Sequence, residues 1–161
     1  MALQRPTAAE TNLHSEGAEF LVLGHLLIRG IHATKAYTRF PGWDVLANHP
    51  TSGRTCRIQV KARLASDFDG GFPIKNLNAE FVVLAALNRG NRYRSARVGD
   101  PTGGERDPSF WVLPMPVVAE AAASAPKWGD SAKVHLRRLD DAAQYAGAWH
   151  LIQKYLEHGA D

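Results

Sequence analysis

Apolar residues recur at three- and four-residue steps from Asn12 to Arg29, through Leu13, Phe20, Leu23 and Leu27. That spacing predicts a helix, and Gly30 stops it. Gly17 is a poor helix former inside it, which points to a close backbone approach there. Ile31 to Thr38 reads as a strand broken by Pro41-Gly42. Trp43 to Ala47 and Cys56 to Ala62 read as two short strands, joined by the turn formers of Asn48 to Gly53. Side chains alternate along a strand, so Arg57, Gln59 and Lys61 share one face and Ile58, Val60 and Ala62 point into a core.

Glu80 to Leu87 is a continuous apolar run of strand length, the pattern of a central strand buried on both sides. Phe110 to Leu113 is another buried strand, ended by Pro114. Val117 to Ser124 reads as a short Ala-rich helix with Pro116 in its first turn. Lys133 to Leu136 fits an edge strand. Asp140 is placed to cap a last helix over Asp141 to Glu157, with a stripe of Ala142, Tyr145, Trp149, Ile152 and Leu156. Residues 1–11 are polar and read as a disordered tail. Residues 12–161 then form one α/β domain, with helices flanking a sheet.

Composition narrows the class. The chain has 161 residues, 45% hydrophobic and 22% charged, which is globular material. Net charge is +3 and the pI about 9.2, compatible with a nucleic-acid partner without requiring one. A single cysteine, Cys56, excludes an internal disulfide and fits a reducing, cytoplasmic setting. No apolar run reaches the ~18 residues of a membrane span, and no apolar export signal opens the chain. The seven histidines show no metal-ligand spacing, although His25 on the first helix could reach a site face. Gly103-Gly104 lacks the pattern of a phosphate loop. Cys56, Trp111, Trp128 and Trp149 read as packing residues, and Asp67 and Asp69 as a loop cap.

The hairpin carries the candidate chemistry. Asp44 opens its first strand, Gln59 and Lys61 lie on its second, and Glu19 sits on the preceding helix. Mg²⁺ or Mn²⁺ prefers hard oxygen ligands. Asp44, the Gln59 side-chain oxygen and the Val60 carbonyl are the candidate metal ligands. Lys61 would offset charge on a phosphodiester transition state, and Glu19 would orient water or bind a second metal. The competing explanation is an ordinary antiparallel sheet with one wet face, on which Asp44 simply pairs with Lys61.

The same residues carry a family likeness. The segments Gly17-Ala18-Glu19-Phe20-Leu21-Val22, Trp43-Asp44-Val45-Leu46 and Arg57-Ile58-Gln59-Val60-Lys61 follow one another as helix with acid, acid at a hairpin, and Q-V-K on the return strand. This order resembles the PD-(D/E)XK nuclease superfamily. The resemblance implies a restriction-endonuclease-like αβββαβ core with a mixed sheet. It also implies Mg²⁺-dependent hydrolysis of DNA at Glu19, Asp44, Gln59 and Lys61. Trp43 stands where the signature has Pro, and Gln59 where it has a second acid. The segment after Ala62 lacks the helical pattern expected there. A basic stretch, Arg89, Arg92, Tyr93, Arg94 and Arg97, fits a solvated loop whose charges serve solubility; the resemblance instead implies that it grips phosphates and stacks a base, with Arg63 and Lys75 beside it. A homodimer would let so small a core reach both strands. The alternative is an inactive nuclease fold serving as a binding or interaction module in a defence or DNA-processing complex.

Overall fold

The computed structural model describes residues 7–37, 42–91 and 104–160. Helix α1 runs Ala8–Leu27. It starts earlier than the apolar periodicity predicts, because Thr7 and Glu10 form a reciprocal capping box that satisfies its first amides. Strands β1 (His32–Lys35), β2 (Val45–Asn48) and β3 (Thr55–Arg63) form an antiparallel meander. Strand β5 (Phe81–Ala86) then lies parallel to β3, and β6 (Ser109–Pro114) closes the sheet antiparallel. The order β1-β2-β3-β5-β6 is that of a mixed sheet.

The crossover between the parallel strands departs from the αβββαβ expectation. Residues 64–80 contain no α-helix. They contribute β4 (Gly71–Ile74) to a second sheet. That sheet has the order β4-β8-β7, with β8 (Ser131–His135) in its middle and β7 (Lys127–Trp128) on its far side. The segment expected at an edge is therefore central. Pro73 is tolerated because β4 is an edge strand, where a missing N–H breaks no ladder.

Two apolar layers flank the main sheet. On one face Val45, Ile58, Val83 and Val112 pack against Ala18, Val22 and Leu26 of α1 and Ile152 and Leu156 of α3 (His150–His158). On the other face Val82, Leu84 and Leu113 pack against α2 (Met115–Ala123) and against Phe72, Ile74 and Val134 of the second sheet. β5 is buried along its whole length, as its unbroken apolar run predicts.

The buried stripe of α1 is not the expected one. Leu13, Phe20 and Leu27 are exposed, and Ala18, Val22 and Leu26 face the sheet. From position 20 to 27 the helix is apolar at nearly every position, so periodicity alone does not select the face. Gly17 also differs from expectation: a Cβ built there meets nothing within 4 Å, so no close backbone approach explains it. The last helix is shorter than predicted. Asp141 and Gly147 take left-handed backbone angles, at φ 47° and 60°, and divide the segment into a 3₁₀ turn over Ala142–Tyr145 and then α3.

One ion pair locks the start of β5 to β3. The Glu80 carboxylate accepts from the Arg57 backbone N–H at 2.6 Å and from its guanidinium at 2.6 Å. Burial works to raise the Glu80 pKa, but the bonds from Arg57 outweigh it and hold the carboxyl below its ordinary value. An unfolded Glu titrates near ~4.3. The contribution is therefore full above that pH and is lost as pH falls through the lower folded value. Glu80→Gln is expected to cost about 1–2 kcal/mol at pH 7. Urea denaturation of both proteins at pH 7 and pH 3 checks this, and a gap that fails to shrink in acid refutes it.

Candidate active site

Asp44 sits where β2 begins and the β1–β2–β3 ladder ends. Its backbone N–H donates to the Ile58 carbonyl at 2.9 Å, and its carbonyl accepts from Ala36 N–H at 2.8 Å. The main chain is thus gripped from both neighbouring strands, and the side chain is aimed along β3. Oδ2 accepts the Val60 N–H at 2.7 Å. The N–H and C=O of one strand residue lie on the same edge, so the Val60 carbonyl also faces the Asp44 side of β3.

The polar face of β3 is wet at Arg57 but not beyond it. Gln59 and Lys61 stand beside Val82 and Leu84 in the parallel register, on the face covered by the second sheet. Gln59 is only 6% exposed, and among the described residues its Oε1 accepts no hydrogen bond. A buried amide oxygen without a partner costs about 1–3 kcal/mol. Lys61 is half-buried. Burial lowers its pKa, and the charge of Asp44 works in the opposite direction. Burial likewise raises the Asp44 carboxyl above its ordinary value, against the Val60 hydrogen bond and the charges of Lys61 and Lys35. An ordinary solvated sheet face explains none of this.

Glu19 approaches Asp44 from α1, which covers the opposite face of the sheet from Gln59 and Lys61. Its carboxylate lies 2.8 Å from the Lys35 ammonium on β1. Glu16, one helical turn earlier, takes the other side of that ammonium at 2.9 Å. The Lys35 side chain is 4% exposed. Burial disfavours its charge, but the bonds to Glu19 and Glu16 outweigh that and raise its pKa. Glu19 is itself shifted upward, first by burial and further by the charge of Asp44, against the pull of Lys35. The acids around Lys35 outnumber it, which raises Lys35 and adds to the effect of burial on Glu19. The arrangement is two lysines, three carboxylates and one unsatisfied amide oxygen where β2 and β3 begin to separate.

No protein-family model matches this chain, and no curated protein does. A solved structure matches over nearly its whole length. It is a bacterial homing endonuclease, I-Ssp6803I, at 21% identity, with a TM-score of 0.53, covering 89% of this chain and 92% of that one. The fold is endonuclease-like.

Within this endonuclease-like fold, the charges of Glu19 and Lys61 both act on Asp44, which is hydrogen-bonded to the strand that carries Gln59. Among the described residues no group of three or more His, Cys, Asp or Glu is placed to hold a metal ion. The oxygen donors at hand are Asp44, the Gln59 amide and the Val60 carbonyl. Of the basic stretch, Arg92, Tyr93, Arg94 and Arg97 lie outside the described residues. Arg89 donates to the carbonyls of Leu87 and Arg106, at 3.1 and 2.6 Å, and so fastens the loop after β5. Lys75 pairs with Asp130 on the surface.

Other residues settle elsewhere. His25 does not face the site: it stacks on Trp149 at 4.9 Å and meets Phe110 edge-on, on the α1–α3 side of the sheet. Trp149 is buried, but Trp128 is half-exposed beneath the Lys133 ammonium. Cys56 is a core residue whose thiol burial pushes far up. Asp69 caps Gly71 and pairs with Lys133. A cavity of about 600 Å³ lies between α2, α3 and the start of β5, and no site residue lines it. No helix among the described residues is long and apolar enough to cross a membrane.

Sequence reasoning missed Lys35 and Glu16. One signal for Lys35 was available. It alternates in phase with Ile31 and Ala33, so a charge was being sent to the core face of β1, where it requires a partner.

Proposed function

We propose that this chain is a metal-dependent DNA endonuclease of the PD-(D/E)XK kind, hydrolysing phosphodiester bonds with Mg²⁺ or Mn²⁺. The observation that carries this reading is the meeting of Asp44, Lys61 and the unpartnered, buried Gln59 Oε1 at one end of the hairpin. A hard divalent cation takes oxygen ligands of this chemistry, and Asp44, Gln59 and the Val60 carbonyl would hold it. Such an ion, when bound, polarises a phosphoryl oxygen and lowers the pKa of water. The chain's own residues do the rest. Lys61 presents an ammonium to the phosphate, in surroundings dry enough to strengthen its field. Glu19 accepts a hydrogen bond from the attacking water. The Val60 N–H keeps the Asp44 carboxylate turned toward β3. The likeness to a homing endonuclease supports DNA as the substrate class, and the net positive charge is compatible with it.

The test is cleavage of plasmid, linear and branched DNA with Mg²⁺ or Mn²⁺, by the parent and by Lys61→Ala. Loss of an ammonium aimed at transition-state charge is expected to slow cleavage at least ~100-fold. Equal cleavage by the two proteins removes the catalytic role of Lys61.

A second reading is an inactive nuclease fold that binds DNA or a protein partner. The amide at the second acid position favours it, as does the finding that among the described residues no three of His, Cys, Asp or Glu are placed to hold a metal ion together. Calorimetry separates the two: no Mg²⁺ or Mn²⁺ binding at millimolar concentration supports the inactive module.

A further inference from the structure

The Lys35 ammonium occupies a position that is costly to fill. It is almost fully buried, 2.9 Å from Glu16 Oε1 and 2.8 Å from Glu19 Oε2. The rings of Phe20 and Tyr37 lie 5.5 and 5.3 Å from it and close it off further. Its strand neighbour across the ladder is Val45, next in chain to Asp44, and Ala36 binds the Asp44 carbonyl. A lysine is seldom buried this deeply unless its charge is matched. Here two carboxylates contact it and a third stands near, more than one ammonium needs. A divalent cation is the other species that carboxylates gather around in this way.

We propose that the Lys35 ammonium takes the place of a second divalent cation between Glu16, Glu19 and the Asp44 region, so that the chain holds a single metal ion on its Asp44–Gln59 side. This deepens the metal-dependent reading and rests on it. Glu19 is then committed to Lys35, through which it is positioned, and is not a metal ligand. Lys35 is a positioning residue: it fixes the Glu19 carboxylate without touching substrate. Removing the ammonium leaves two neighbouring carboxylates with no cation, a pair suited to a hard metal.

Mn²⁺ titration of the full chain, followed by the loss of the free-ion electron-spin signal and by calorimetry, tests this without reference to cleavage. The parent should bind one Mn²⁺. Lys35→Met should bind two, or bind the first at least tenfold more tightly. The double variant Lys35→Met/Glu16→Gln removes one cation and one acid together. It keeps the parent's net charge and relieves the crowding that could unfold the single variant. Glu19 still stands near Asp44 with no cation between them, so it too should bind a second ion, more weakly than Lys35→Met does, which a general change in charge does not explain. A parent that binds two ions overturns the proposal, and so do variants that match the parent in number and affinity. In both cases metal binding itself stands. Absence of Mn²⁺ binding in the parent and both variants overturns the proposal together with the metal-dependent reading.

Discussion

Asp44→Asn is expected to lower DNA cleavage about 1,000-fold while leaving thermal stability at pH 7 equal to the parent's or higher. The two halves of this result have separate causes. A carboxylate that seats a divalent ion contributes several kcal/mol to transition-state stabilisation, and ~1.4 kcal/mol is a factor of ten. The stability half follows from the upward shift of the Asp44 carboxyl. A carboxyl raised by burial disfavours the folded state whenever it is ionised. That penalty is present at pH 7 and disappears as pH falls through the folded value. Asn is neutral at every pH and keeps an oxygen for the Val60 N–H. Activity falling while the melting temperature holds or rises marks a group retained for function. If Asp44→Asn instead melts well below the parent at pH 7, the acid serves structure and the proposed chemistry loses its main ligand.

Trp149→Ala carries the largest expected cost to stability, about 3–5 kcal/mol. Trp149 is 3% exposed. It stacks on His25 with the rings 8° from parallel, tilts against Phe110, and carries the Arg29 guanidinium at 5.3 Å. It therefore joins α1, β6 and α3 in one contact. α3 has only nine residues and no side-chain cap at its start, so little local energy holds it in place. An alanine would leave a cavity bounded by three elements that cannot all close in on it. Guanidinium denaturation followed by tryptophan fluorescence and circular dichroism measures the loss. A change below 1 kcal/mol would mean that the ring cluster is ornamental to the packing.

The parts of this fold legible in the sequence are those with strong local constraint. The apolar run of β5 has no solvated face to offer, so it had to be central. Alternation along Arg57 to Ala62 fixed which side chains share a face, and the turn formers fixed the hairpin. Glu19, Asp44 and Gln59-x-Lys61 could be named because the order of acid-bearing helix, hairpin acid and Q-V-K strand resembles a nuclease superfamily; their spacing alone also fits an ordinary wet strand face. What escaped depends on distant partners. The second sheet pairs β4 with β8, two short strands whose sequences do not announce each other. Its presence turns an apparently exposed strand face into a covered one and buries Gln59. The face of α1 was misread because its C-terminal half is apolar at nearly every position. Lys35 was passed over because a lysine in a short strand looks ordinary until its two acids are seen beside it.

The cover over Gln59 and Lys61 has a consequence for biosynthesis. Its strands are drawn from Gly71–Ile74 and Ser131–His135, far apart in the chain. A nascent polypeptide stalled before β8 emerges holds its hairpin, α1 and central strands, yet has no partner for β4. Gln59 and Lys61 would then stay hydrated, with the lysine field screened by water. On the proposed function, Gln59 and Lys61 reach their covered setting only once β8 has left the ribosome.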